Sequence, residues 1–218
     1  MRDVVSMPDL SRLVTVARGL LPIGAAVAGA DPRQSYPLLP GEGLPAAVPT
    51  RLAEFSAGRH AARQALAALG HPARPIPMAQ DRAPIWPTGL CGSISHSRTA
   101  CLAAVMPRQG LGLDLEEDTG LDAELWDTVL LPEERAWAEG QPNPGQAAKL
   151  VFSAKEAGYK AQYPLSRRLF GFETLSIRIS GTRFTATFLR PVPPFATGFA
   201  LMGRHALDQH HILTAVTL

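Results

Sequence analysis

Apolar residues recur at helical spacing along 51–69, where Leu52, Phe55, Ala62, Leu66 and Leu69 form one stripe. Thr50 stands where it can cap this helix, and Gly70 lies just past its end. A short helix is predicted over 9–21 behind Asp9, and the apolar run from Gly19 to Ala30 reads as that helix's end followed by a buried strand. Pro132 opens a further predicted helix through 139. Another, over 147–163, should stop before Pro164, because a proline disfavours helical geometry in the residue ahead of it. Near the C-terminus the period changes to two. Apolar and polar positions alternate along 174–180, 183–189, 197–202 and 212–217, which predicts antiparallel strands, the first pair joined at Gly181-Thr182. Two more strands, 99–106 and 110–115, flank a turn at 107–109. The stretches 31–49 and 71–92 are rich in Pro and Gly and read as loops. No repeat of solenoid period is present. The expected architecture is α+β, in two halves that meet near 107–110.

Composition narrows the class without choosing a function. With 218 residues, 46% hydrophobic and 18% charged, the chain can bury a core and does not have a disordered composition. Its net charge of +2 is mild but unevenly spread. Ten of the nineteen acidic residues fall between Asp114 and Glu139, so cation binding and polyanion binding would draw on different regions. No basic stripe interleaved with aromatics appears, which argues against a nucleic-acid partner. Cys91 and Cys101 are too few for a disulfide framework and read as small buried hydrophobes in a reducing compartment. The apolar run at 19–30 is broken by Pro22 and Gly24 and is too short to cross a membrane; Asp3 and Asp9 ahead of it make a poor secretory leader.

The charged residues carry a sharper signal. Eighteen arginines stand against three lysines, and two of those lysines, Lys155 and Lys160, share the stretch Phe152-Ser153-Ala154-Lys155-Glu156-Ala157-Gly158-Tyr159-Lys160. Lysine is a compact point charge suited to phosphate, whereas arginine is a planar fork. Upstream, Gly112-Leu113-Asp114-Leu115-Glu116 sets two carboxylates at i, i+2, on one face of a strand, where they repel unless a cation lies between them. A solvated strand end would account for that pair taken alone, and a surface ion pair would account for Glu156 and Lys160 at i, i+4. Taken together, Asp114, Glu116 and Glu156 can make an oxygen-donor site for Mg²⁺, with Lys160 neutralising a phosphate on the metal. His96 sits in Ser93-Ile94-Ser95-His96-Ser97, just ahead of a predicted strand, either as a structural histidine in a capped turn or as a phosphate contact. That segment lacks the glycines of a hydrolase nucleophile elbow. Arg59, Arg63 and Arg82 are further phosphate candidates or plain surface arginines.

In this order the motifs resemble the 4′-phosphopantetheinyl transferases, in the class found in surfactin- and enterobactin-type pathways. The resemblance runs from Gly58-Arg59 through Ala65-Leu66, then Arg82 to Trp86-Pro87, Gly92 to Ser97, Gly112 to Glu116 and Phe152 to Ala161, the last two motifs being specific to the family. Gly158 departs from it, standing inside the catalytic helix where a bulkier residue is usual, at a cost of roughly 1 kcal/mol of helix propensity.

The resemblance implies two similar α+β halves, 1–108 and 109–218, about a pseudo-twofold axis, with coenzyme A in the cleft between them. It implies Mg²⁺-dependent transfer of phosphopantetheine to a serine of an apo acyl, aryl or peptidyl carrier protein, which is acidic around that serine. Adenosine 3′,5′-bisphosphate leaves. A monomer in the cytoplasm, serving siderophore or other secondary-metabolite synthesis, is the setting it implies. Metal ligands would be Asp114, Glu116 and Glu156, and catalytic groups Glu156, Lys160 and Lys155. His96 would take the 3′-phosphate of coenzyme A, with Ser95, Arg63, Arg82 and Arg59 nearby. Two other readings use the same residues: a Mg²⁺-dependent hydrolase of coenzyme A or of a nucleotide pyrophosphate, and a non-catalytic carrier-binding relative.

Overall fold

The computed structural model describes residues 8–107 and 110–218. Helix α1, Leu10–Leu20, begins where Asp9 accepts the backbone N–H groups of Ser11 and Arg12, and it leads into strand β1, Ala26–Ala30. Helix α2 spans Pro49–Ala68. Its N-cap is Val48 and not Thr50, because Pro49 supplies the first helical position with its φ already fixed and no N–H to satisfy. The buried face of α2 is built from Ala57, Ala61, Ala62 and Ala65, so the helix lies close on its sheet, while Leu52 of the predicted stripe is exposed. Strands β2, Cys91–His96, and β3, Cys101–Met106, follow, and the sheet order is β1-β3-β2, all antiparallel. The motif holding His96 is thus the end of a strand, where the sequence predicts loop as far as 92 and a turn beyond. Its alternating Ser93, Ser95 and the small Gly92 hide the strand pattern.

Strand β4, Leu111–Glu117, does not pair with β3, its neighbour in sequence. It forms the edge of a second sheet, β4-β8-β7-β6-β5, with β5 Leu175–Ser180, β6 Arg183–Phe188, β7 Ala200–Asp208 and β8 His211–Thr217. The predicted turn at 107–109 falls mostly outside the described residues. A short 3₁₀ turn and helix α3, Trp126–Val129, then α4, Pro132–Glu139, cross from β4 to the long helix α5, Pro144–Ser166. Helix α5 runs past the predicted stop, with Pro164 inside its last turn. There a proline costs only the bond to the carbonyl of Lys160, and Arg167 closes the helix in the left-handed region at φ 52°.

Two glycines let the second half pack tightly. A Cβ on Gly112 would come within 1.8 Å of the Ala157 carbonyl oxygen, so α5 crosses β4 at a distance only glycine permits. Gly158, the unusual residue of the helix, faces Leu175, Ala186 and Leu201, and a Cβ there would press on Leu175 at 3.2 Å. The helix gives up propensity at Gly158 and gains contact with the sheet. The two sheets meet along β2 and β4, where serine side chains stitch the seam. Ser93 Oγ accepts from Leu113 N at 2.9 Å, and Ser95 Oγ accepts from Leu115 N at 3.2 Å.

Candidate functional site

A cleft of about 1000 Å³ opens along this seam, lined by α2, β2 and the loop at 78–86 on one side and by β4 and α5 on the other. Pairing of β4 with β8 turns Leu113 and Leu115 into the core and Asp114 and Glu116 to the other face, as the i, i+2 spacing requires. The close crossing at Gly112 then sets Glu156 and Lys160, one turn apart on α5, over those two carboxylates.

Asp114 is the hub. Its Oδ1 accepts from Lys160 Nζ at 2.6 Å and from Ser95 Oγ at 2.8 Å, and its Oδ2 accepts from Ser153 Oγ at 2.7 Å. Glu116 is held by Lys149 at 3.5 Å, and burial, with the charge of Asp114 added, pushes its carboxyl up to about 7. Burial also raises Glu156, whose carboxylate makes no hydrogen bond or ion pair among the described residues. Burial works against the Lys160 ammonium, but Asp114, Glu156 and Glu116 outweigh it, so this lysine keeps its proton more firmly than usual. The cluster sets two ammonium groups, Lys160 and Lys149, against three carboxylates, so the acidic groups outnumber the cations.

Cations line the other wall. Arg59 is 5% exposed, packs over Phe55 at 4.2 Å and has no hydrogen-bond partner at Nε; burial lowers it to about 10. His96, on the end of β2, has Nε2 2.8 Å from Arg51 Nη1 and 3.7 Å from Glu54 Oε2. Burial lowers the pKa of this imidazole. Arg82 lines the same cleft from a loop residue with φ 68°. The cleft thus has one wall rich in arginine, where Glu54 and Asp81 also stand, and one rich in carboxylates, suited to an extended ligand with phosphate in more than one place.

Three predicted contacts need correction. Lys155, read as catalytic, points to the opposite side of α5. It is 2% exposed, pairs with Glu134 at 2.7 Å and donates to the carbonyls of Val129 and Phe172 at 2.7 and 3.0 Å. Its neighbours saturate it, because residues five apart on a helix do not share a face. Arg63 is turned away from the cleft, bonded to the buried Glu42 and to the Pro37 carbonyl at 2.7 Å. Ser95 lines the cleft, but its hydroxyl proton goes to the Asp114 carboxylate and is not free for a ligand phosphate. Conversely, Arg51 and Glu54 line the site and escape the sequence reading. They stand outside the recognised motifs, and their one signal is an i, i+3 charge pair that many surface helices carry. Cys101 is an inert buried thiol, raised by burial to about 12, and Cys91 is buried too.

Comparison with known proteins decides the family. Residues 40–106 match the model of the 4′-phosphopantetheinyl transferase N-terminal domain, and residues 110–215 match that of the 4′-phosphopantetheinyl transferase superfamily. A 4′-phosphopantetheinyl transferase of Mycobacterium tuberculosis is 34% identical over 189 residues, covering 78% of this chain and 81% of that one. The chain belongs to the 4′-phosphopantetheinyl transferase superfamily. A member from Nocardia iowensis is 41% identical over 133 residues, 60% of each chain. The enterobactin synthase component D of Salmonella typhimurium is 39% identical over 156 residues, 69% of this chain and 63% of its own length. The two family matches meet at the seam between β3 and β4, and the cleft draws on both matched segments. Among the described residues, no helix is long and apolar enough to cross a membrane.

Proposed function

We propose that this transferase moves the 4′-phosphopantetheine group of coenzyme A onto a serine hydroxyl of an apo carrier protein. The observation that carries the proposal is the two-signed cleft, with Glu156, Lys160, Asp114 and Glu116 facing His96, Arg51, Arg59 and Arg82. The serine oxygen attacks the β-phosphorus, the bond from that phosphorus to the bridging oxygen breaks, and adenosine 3′,5′-bisphosphate leaves with the electron pair. Glu156, made basic by burial and free of a partner, takes the serine proton. Lys160 keeps its own proton and offsets charge on the phosphate oxygens as it builds up. His96 and Arg51 hold the 3′-phosphate, with Arg59 and Arg82 toward the rest of the nucleotide.

The donor set fits a hard divalent ion such as Mg²⁺. Asp114, Glu116 and Glu156 offer only oxygen, and burial, with the charge of Asp114 added, disfavours the ionised forms of Glu116 and Glu156, which a bound cation would favour. Among the described residues no three of these groups stand together in a ligand cluster. A hard divalent ion there would take one or two of these carboxylates and complete its shell with water and substrate phosphate. When bound there, the ion would withdraw charge from the pyrophosphate. The halves 1–108 and 109–218 each lay one long helix, α2 or α5, on an antiparallel sheet, which supports a pseudo-twofold origin despite three strands in one sheet and five in the other. A cytoplasmic monomer serving siderophore or other secondary-metabolite synthesis completes the reading, and the enterobactin-type relative supports its siderophore part.

The test is mass spectrometry of apo carrier proteins incubated with enzyme, coenzyme A and Mg²⁺. The expected result is a phosphopantetheine mass on the carrier serine that depends on both the metal and the coenzyme. Release of adenosine 3′,5′-bisphosphate without any carrier would replace transfer by hydrolysis. No release under either condition would leave a carrier-binding protein without catalysis.

A further inference from the structure

We infer that Glu54 is a positioning residue that makes coenzyme A binding take up a proton at His96, so that the 3′-phosphate is read by an imidazolium. The inference rests on the proposed placement of that phosphate at His96. Its source is the geometry of three side chains. Arg51 Nη1 lies 2.8 Å from His96 Nε2, and a guanidinium can only donate. His96 Nε2 must therefore be the acceptor, which makes the imidazole neutral in the free cleft, with its proton on Nδ1. In that state Nε2 has no proton to offer a phosphate, and Arg51 is turned toward the ring.

An arriving phosphate dianion reverses both conditions. It draws the Arg51 guanidinium to itself and leaves Nε2 free to be protonated and to donate. The proton comes from solvent. The charges facing the ring are Arg51 and Glu54 from α2 and Lys160 from α5. Among the described residues two cations oppose the imidazolium, and Glu54 is the carboxylate that favours it. Its Oε2 lies 3.7 Å from His96 Nε2 and 2.9 Å from Arg51 Nη1, close enough to follow either group. Glu54 is also an anion in an anion site. Were it merely a partner for Arg51, removing it would tighten binding of a phosphate. The two roles predict opposite signs.

Calorimetry on the intact protein at pH 8, in buffers of different ionisation enthalpy, counts protons taken up. Coenzyme A should bind with uptake of about one proton, and its log affinity should fall by about one per pH unit above neutrality. Dephospho-coenzyme A should bind with neither effect. Glu54→Gln should abolish the uptake, flatten the pH dependence and weaken coenzyme A about tenfold, leaving dephospho-coenzyme A unchanged. His96→Gln should lose the uptake as well, which separates protonation of the ring from protonation of the phosphate. Tighter binding of coenzyme A than of its dephospho form, without proton uptake, would overturn the proton linkage and keep the phosphate at His96. Equal binding of the two by the unmutated protein would overturn the phosphate placement and the linkage with it. Glu54→Gln binding coenzyme A as tightly as the unmutated protein, or more tightly, would reduce Glu54 to an ion-pair partner.

Discussion

Lys155 and Lys160 stand on one helix, within one motif, and do different work. Lys155 faces α4 and is closed in by Glu134 and two carbonyls; Lys160 faces the cleft and binds Asp114, the hub of the carboxylate cluster. Each pairs with a carboxylate, at 2.7 and 2.6 Å respectively. The difference lies in what surrounds the pair. Glu134 spends its remaining capacity on the backbone N–H groups of Leu131 and Ile177, so its neighbourhood is complete. Around Lys160, Glu116 and Glu156 stay short of positive charge. A completed pair holds the fold, and an uncompleted one is available for ligand chemistry.

The largest effect expected from breaking this contrast is on stability. Lys155→Ala should destabilise the protein by about 3–5 kcal/mol, because it strands a buried carboxylate. Removing both charges, as Lys155→Met with Glu134→Gln, should recover part of that loss, since the amide oxygen still accepts from one of the two backbone N–H groups that Glu134 holds. Urea denaturation measures both. Equal loss in the single and the double variant would assign the cost to packing instead.

On the other face the effect should move to rate. Asp114→Asn should lower kcat by about 10²–10³-fold, or 2.7–4 kcal/mol, the range for losing one preorganised electrostatic contact. Its melting temperature should stay close to that of the unmutated protein, since Ser95 and Lys160 can still donate to the amide oxygen and Ser153, turning its proton to Thr214, can accept from the amide NH2. Near-normal turnover in this variant would remove Asp114 from the reacting centre.

Much of this is legible in the sequence, and the failures have physical causes. The shared face of Asp114 and Glu116 on β4 and that of Glu156 and Lys160 on α5 follow from strand and helix periods, but the packing of α5 over β4 that joins the two pairs is set by the close crossing at Gly112. Lys155 misleads because a motif carries no direction; only the angle between neighbouring residues on a helix separates its faces. Strand β2 is hidden because Gly92, Ser93 and Ser95 have weak strand propensity, and its pairing with β3 overrides them. The same serines then do what no propensity scale reports, bonding across the seam to β4. Arg51 and Glu54 stay out of sight because their meeting with His96 joins residues more than forty apart.

A smaller effect separates the faces by pH. Burial and Asp114 raise Glu116 to about 7, above its ordinary value of 4.5. A carboxyl raised in the folded state stabilises the fold while protonated, and that contribution is lost as pH climbs from about 4.5 through 7. Glu116→Gln should therefore stabilise the metal-free protein at pH 8 by about 1–2 kcal/mol, after allowance for solvent screening and the lost Lys149 contact. At pH 4 the gain should vanish. Thermal melts of both proteins across that range, with a chelator present, test it. A gain that is the same at both ends would trace to something other than ionisation.

The smallest effect is expected where α5 ends and its cations reach solvent. Arg167 closes the helix and lines the mouth of the cleft, and Arg168 beside it is exposed. Neither has an ion pair among the described residues, unlike Lys155 and Lys160. The family resemblance implies a carrier protein acidic around its serine, and these arginines would meet it first. A charge at the rim acts through the encounter and is screened by salt over about 10 Å at 0.1 M, so each should contribute well under 1 kcal/mol. Reversing Arg167 and Arg168 to Glu should raise the KM for the carrier several-fold while leaving the KM for coenzyme A nearly unchanged. The carrier KM of the unmutated enzyme should climb with ionic strength, and that of the variant should climb less. A double reversal that leaves the carrier KM and its salt dependence where they were would move docking to another face. The helix would then carry its functional charge only on the side that faces Asp114.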